Sequence, residues 1–184
     1  NTLYTSSGVS GLGNEAITIS DVLTVSQANV IDGLTTGAVT ADISTTESVD
    51  SLKTLNGTNN AYTIVISSAD ATGSTAAEFN TINSATTVAI DASEVTALAS
   101  SNLSDVKTLL TAANDTDQFT DSTGKVSFGG LTAVTVADAT VNVSDFNAAV
   151  TQANTATGQT TRANNATLFT CLLYTSPSPR DSTL

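Results

Sequence analysis

Carboxylates that follow predicted strands are the side chains of this sequence best placed for chemistry. Asp21, Asp91 and Asp138 each come within two residues of a short apolar run. Because hard oxygen donors at the ends of neighbouring strands can coordinate Ca²⁺, these three aspartates are weak candidates for a calcium site. Turn formation is the competing explanation, since aspartate is a common turn and cap residue and the three offsets differ. Calcium is the one cofactor with any support.

The usual catalytic residue types are scarce. The chain has no His, and its single Cys, Cys171, lies in an atypical C-terminal stretch. The base and the nucleophile of most hydrolases are therefore missing. Paired Asp and Glu residues could still cleave polysaccharides, but such enzymes usually add basic residues and aromatic platforms for the sugar. We predict no catalytic residue, with a β-helical polysaccharide-cleaving enzyme as a remote alternative.

Composition and charge exclude two classes of partner. Hydrophobic residues make up 40% of the 184 residues but aromatic residues only 4%, so Ala, Val, Ile and Leu must fill any core. The net charge is −12, and the five basic residues are scattered. Nucleic-acid binding needs clustered Lys and Arg, and the same acidity repels anionic lipids. No nucleic-acid partner and no membrane insertion are predicted.

Self-similarity predicts the elements that would position these side chains. Short apolar runs end at Ile19, Ile43, Ile66 and Ile90, in steps of 23 or 24 residues, and a related run ends at Val136. Segments of helix-like spacing lie between them. Such a period is typical of stacked repeats, whose partners are the neighbouring repeats of the same chain. The pattern predicts an α/β solenoid: right-handed stacked strand–helix rungs of about 23–24 residues with one parallel β-sheet, either LRR-like or β-helix-like.

Local signals predict individual helices. Capping-box patterns begin at Ser44 and Thr75, each followed three residues later by Glu. Residues 25–34 read as a short helix or helical turn with Val30 among its core-facing residues. Residues 103–113 carry the longest helical pattern, whose apolar face consists of Leu103, Val106, Leu109 and Leu110. Residues 114–125 are polar and loop-like at the place where a strict period would put a strand. Residues 95–98 are the alternative strand.

The last part of the chain differs from the rest. Residues 1–155 form the predicted repeat region, an internal piece of a longer array, and residues 156–170 read as a linker or an incomplete rung. Both Pro residues lie in residues 171–184, together with Cys171. Residues 171–181 resemble the conceptual translation of a transposase-type sequencing adapter. We therefore interpret residues 171–184 as an artefactual disordered tail.

Three phrases of the sequence resemble known repeat units. Residues 7–21, 60–64 and 86–93 are similar to repeat units of giant cell-surface proteins of marine cyanobacteria, including the one associated with swimming motility. The resemblance implies a structural or adhesive segment of a large secreted bacterial protein, located at the cell surface. A calcium-dependent carbohydrate-binding or S-layer-type module, with cell-surface polysaccharide as partner, is the alternative.

Overall fold

The computed structural model describes residues 13–70, 72–115, 118–120, 128, 130–138, 140–156 and 169–171. Short strands and helices alternate along these ranges. In chain order the elements are β1 (Ile17–Thr18), α1 (Val25–Asp32), β2 (Val39–Asp42), α2 (Val49–Leu52), β3 (Ala61–Thr63), a 3₁₀ turn (Ser68–Asp70), α3 (Ala76–Ser84), β4 (Ile90–Asp91), β5 (Ala97–Ser101), α4 (Leu103–Asp115), β6 (Phe119–Thr120), β7 (Ala133–Val136), α5 (Val143–Ala156) and β8 (Phe169–Cys171). The chain is a mixed α/β domain.

Reciprocal capping boxes fix the starts of two helices. At α3, the Thr75 side chain accepts the backbone N–H of Glu78, and the Glu78 carboxylate accepts the N–H of Thr75. The capping box predicted at Thr75 is confirmed. An equivalent box between Thr24 and Gln27 starts α1. Each box satisfies backbone donors that the first turn of a helix leaves free.

The capping box predicted at Ser44 is wrong. The N-cap of α2 is Ser48, whose side chain accepts the backbone N–H of Ser51. Glu47 cannot close a box with Ser44 because its carboxylate accepts bonds from the N–H of Val25 and the hydroxyl of Ser51. A long-range contact therefore competes with the local signal and moves the helix start.

All strand pairs among the described residues are parallel and fall into three small sheets. One sheet has the order β1-β2-β3, the second consists of β4 and β6, and the third has the order β5-β7-β8. An isolated parallel bridge joins Val65 to Asp91, next to the first and second sheets. Parallel strands need a crossover between them, and the helices supply those crossovers.

The predicted solenoid with one parallel sheet is wrong. The sheet is divided into three, and the spacing between paired residues is not constant. Ile17 pairs with Val39, 22 positions further on, whereas Leu98 pairs with Val134, 36 positions further on. The physical reason is the insertion of β5 directly after β4, followed by the 13-residue helix α4. Together they displace the next strand and interrupt the regular step.

One cluster of buried apolar side chains runs along the described part of the chain. It takes residues from both the strands and the helices, and Ile43, Ile66 and Ile90 all belong to it. Ile19 is partly buried and packs against it. Three phenylalanines form an aromatic cluster in it: the ring centroid of Phe128 lies 5.3 Å from that of Phe119 and 6.4 Å from that of Phe79. Small aliphatic side chains fill most of the remaining core.

The inward faces of the helices follow the predicted spacing with one exception. In α4 the predicted apolar face is confirmed, since Leu103, Val106, Leu109 and Leu110 are all buried. In α1 the buried positions are Val25, Ala28 and Ile31. The prediction that Val30 faces the core is wrong. Val30 lies one residue before the buried Ile31, on the side of the helix that faces solvent, and is 46% exposed.

Strands occur where the sequence was ambiguous. β5 covers Ala97–Ser101 and overlaps the alternative strand predicted at residues 95–98. The loop predicted for residues 114–125 is wrong at Phe119–Thr120, which form β6. Helix α5 ends at Ala156, and β8 includes Cys171, which pairs with Val136. The remaining residues of the predicted linker, 157–168, and of the predicted tail, 172–184, lie outside the described ranges.

Candidate functional site

Two of the three candidate calcium ligands are engaged with backbone N–H groups. Asp91, at the end of β4, accepts a bond from the N–H of Ser93 at 3.0 Å. Asp138, two residues after β7, accepts one from the N–H of Leu103 at 2.6 Å. Asp21 is exposed after β1. These carboxylates stabilise a turn and a helix start.

The described residues contain no group of three or more His, Cys, Asp or Glu side chains that could hold a metal ion. The structure therefore does not bring Asp21, Asp91 and Asp138 into one such group. The predicted Ca²⁺ site stays a prediction, and a single carboxylate with water ligands is its simplest form.

The first N–H of three helices donates to a side chain from further along the chain. A strand and the helix after it form one segment, and in each case the acceptor belongs to the following segment. Val25 donates to Glu47 at 3.1 Å and Ala76 to Ser101 at 2.9 Å. Leu103 and Asp138 form the third such pair. Because these donors lie at a positive helix end, oxygen atoms that reach them stabilise both partners.

Counted from the first residue of α1, α2, α3 or α4, the fifth residue contacts the following segment. In the short helix α2 this fifth residue is the C-cap. The Asn29 amide donates to the carbonyl of Thr54 at 2.8 Å, and the Asn80 amide donates to that of Asp105 at 3.0 Å. Lysines replace these amides in the other two cases and form ion pairs. The four residues are Asn29, Lys53, Asn80 and Lys107, which we call the tie residues.

Threonines repeat a third contact at the entrance to the strands. Thr36, Thr87 and Thr132 each direct both the backbone N–H and the side-chain hydroxyl to one carbonyl of the preceding segment. The N–H distances are 2.8 or 2.9 Å, and the hydroxyl distances are all 3.1 Å. A carbonyl has two lone pairs, so both donors can be satisfied at once. This contact extends the strand pairing by one residue.

The charged tie residues lie in partly exposed ion pairs. Lys53 contacts Glu78 at 2.8 Å and also contacts Asp50, and hydrogen bonds to Asp50 and then Glu78 raise the pKa of Lys53 above its ordinary value. The hydrogen bond from Lys53, followed by that from the N–H of Thr75, lowers the pKa of Glu78. Lys107 contacts Asp145 at 2.7 Å. Exposed pairs of this kind contribute little stability individually.

A buried amide holds α1 close to β2 and β3. Asn60 is 2% exposed, and its side-chain oxygen accepts the buried N–H of Val39 at 2.8 Å. Its amide nitrogen donates to Asp32 at 2.7 Å and to the carbonyl of Asn56 at 3.2 Å. Gly57 makes the arrangement possible, because its φ is +79° and a Cβ there would lie 2.3 Å from the Asn60 amide. The Asn60 side chain thus makes three hydrogen bonds, one of them to a buried backbone N–H.

A tyrosine with an unpartnered hydroxyl, as far as the described ranges show, lies nearby in sequence. Tyr62 is fully buried, and its hydroxyl has no partner among the described residues. Burial, and secondarily the negative charge of Asp32, raises the pKa of Tyr62 to about 12. The neutral phenol is therefore the form that the native state holds at ordinary pH.

Analysis of the sequence missed the tie residues, although a signal for them exists. Asn29, Lys53 and Asn80 each come five positions after the N-cap residues Thr24, Ser48 and Thr75. A polar side chain at a fixed distance from a cap would have revealed them.

None of the helices in the described ranges has the length and apolar character that a bilayer crossing requires. Comparisons of the chain with protein-family models, curated proteins and solved structures give no match.

Proposed function

We propose that this chain is a structural segment of a large secreted bacterial cell-surface protein, in which polar contacts between successive segments resist separation. The observation that carries the proposal is the set of tie residues, each of which reaches from one helix to the following segment. A protein that bears load along its chain needs such contacts at every step, because the weakest interface yields first.

The distribution of polar side chains supports the same role. Groups that could bind a ligand or do chemistry, such as Glu47, Ser101 and Asp138, accept N–H groups at helix starts in the neighbouring segment. The resemblance of residues 7–21, 60–64 and 86–93 to repeat units of giant cell-surface proteins points to the same class. An extracellular location is part of this proposal.

Force spectroscopy tests the role of the tie residues. The full chain is stretched from its two ends, and its unfolding force is compared with that of Asn29→Ala/Asn80→Ala. Asn29→Ala removes two hydrogen bonds and Asn80→Ala removes one, each worth about 0.5–1.5 kcal/mol, and each substitution regains about 0.5 kcal/mol of helix propensity. The double variant should unfold at a lower force than the wild type.

A matched control separates lost contacts from the loss of polar side chains. Asn59 and Ser26 are exposed, and Ser26 lies in α1 as Asn29 does. Asn59→Ala/Ser26→Ala should leave the unfolding force unchanged. Equal forces for the two double variants would refute the load-bearing role.

Sequencing beyond both ends tests the class of protein: further strand–helix segments support it, and a neighbouring catalytic domain counts against it.

A further inference from the structure

A cleft of about 330 Å³ lies between the start of α4 and the turn that leads into α5. Leu103 and Val141 supply its apolar surface. Ser104, Thr140 and Asn142 line it with neutral polar groups, and all three are exposed. The volume is at the lower end of the range of small-molecule sites, which suits one or two rings of a ligand.

Two of the charged groups in the cleft already bind each other. The Lys107 ammonium pairs with Asp145 at 2.7 Å. Asp138 also lines the cleft, and one of its oxygens accepts the N–H of Leu103. Two carboxylates against one ammonium give the cleft a net negative charge within a chain of net charge −12. An anionic ligand would be repelled, and the one cation is already neutralised.

The remaining groups select a hydroxylated ligand. Two hydroxyls and one amide offer both donors and acceptors, and the outer oxygens of the carboxylates offer further acceptors. An apolar ligand would leave these groups without partners and lose affinity. A sugar ring matches the surface better, because its hydroxyls can bond the polar rim while its C–H face rests on Leu103 and Val141. We propose that this cleft binds a neutral sugar residue of a polysaccharide.

The cleft adds a binding activity to the proposed structural role and does not depend on it. Asn29 and Asn80, the residues tested by force, do not line the cleft. A chain that fails the force experiment can still bind sugar, and the reverse holds equally. None of the residues that line the cleft is aromatic, so we expect weak binding, with a dissociation constant on the order of 1–10 mM.

Nuclear magnetic resonance of the ¹⁵N-labelled full chain tests the proposal. The probes are neutral tetrasaccharides, namely maltotetraose, cellotetraose, mannotetraose and laminaritetraose, with trigalacturonate as the anionic comparison. At least one neutral probe should give saturable shifts at the amides of Ser104 and Asn142, and trigalacturonate should give none. The proposal is overturned if no neutral probe shifts these amides saturably, or if the anionic probe binds more tightly.

Matched variants check the location. Asn142→Ser removes the amide donor but keeps an oxygen that can accept the N–H of Ser144, which Asn142 accepts at 2.8 Å in the native chain. Its affinity for the probe should fall at least three-fold. Ser84→Ala changes an exposed residue on α3, outside the cleft, and should bind as the wild type does. If the two single variants Asn142→Ser and Ser104→Ala both bind the sugar probe as tightly as the wild type, binding lies elsewhere and the proposal is overturned.

Discussion

Replacement of Asn60 by Ala should destabilise the native state more than any other single change to a polar side chain described above. The substitution removes the acceptor of the Val39 N–H, a donor that is fully buried. A buried donor left without a partner costs about 1–3 kcal/mol. Water can replace most of the two lost amide bonds, because Asp32 is half-buried and Asn56 is exposed. We expect a total loss of about 2–4 kcal/mol.

Urea denaturation followed by circular dichroism measures this loss. The midpoint should fall while the slope with denaturant stays the same, since the surface exposed on unfolding hardly changes. The melting temperature should fall by roughly 5–15 °C, given about 2–4 °C per kcal/mol for a chain of this size. Asn59→Ala, at the exposed neighbouring position, should change the free energy of unfolding by less than about 0.5 kcal/mol.

Asn60→Asp separates the acceptor from the donor. It keeps the oxygen that accepts Val39 but replaces the amide with an oxygen facing Asp32, from which the amide nitrogen lies 2.7 Å away. Repulsion between two carboxylates at this distance raises the pKa of one of the pair in the folded state above its unfolded value of about 4. The variant should therefore lose stability relative to the wild type at pH values above about 4 and recover it below. Equal loss in Asn60→Ala and Asn59→Ala, or a pH-independent loss in Asn60→Asp, would refute this account of the buried amide.

Three further changes should have distinct effects. Glu78→Gln keeps the capping box but breaks the ion pair with Lys53. Because the pKa of Glu78 is lowered in the native state, the variant should be less stable than the wild type near neutral pH, and the difference should shrink as the pH falls through that pKa. Thermal melts should also show a smaller difference in about 0.5 M NaCl, which screens the ion pair. Tyr62→Phe removes a buried hydroxyl without a described partner and should change stability by no more than about 1 kcal/mol near neutral pH. Since the pKa of Tyr62 is raised to about 12, the wild type should lose stability relative to this variant above about pH 10, measured by urea denaturation. Gly37→Ala should cost more than about 2 kcal/mol in the same assay, because a Cβ would lie 2.3 Å from the carbonyl oxygen of Glu15.

Helices with complete local signals could be predicted from the sequence. Thr75 and Glu78 form the expected box because both partners lie within one turn and the Glu78 carboxylate binds Lys53 with its other oxygen. The apolar face of α4 was equally clear, since its five buried residues, including Ala113, recur at helical spacing over about three turns. The Thr24–Gln27 box carries the same kind of signal, with Gln in place of Glu, and could have been found.

Pairing between strands could not be predicted in the same way. The apolar runs indicate strands but not which residues face each other, and helix length decides that register. The 13 residues of α4 postpone the next strand, so Leu98 meets Val134 instead of a residue one regular step away. The partners of the tie residues depend on such long-range pairing, whereas the spacing of the tie residues from the N-caps does not. Glu47 shows the converse, because a contact 22 residues away overrides a box that its own neighbours suggest.

The division of the pairing into three small sheets affects how the protein behaves at high concentration. An unpaired strand edge is a template on which another chain can add a strand, and long, flat edges seed fibrils. The outermost strands of the two three-stranded sheets, β1, β3, β5 and β8, contain only two to five residues. Such short edges offer few backbone groups to an incoming chain. Crowded copies of this protein should therefore resist amyloid-like aggregation even though every one of their described strand pairs is parallel.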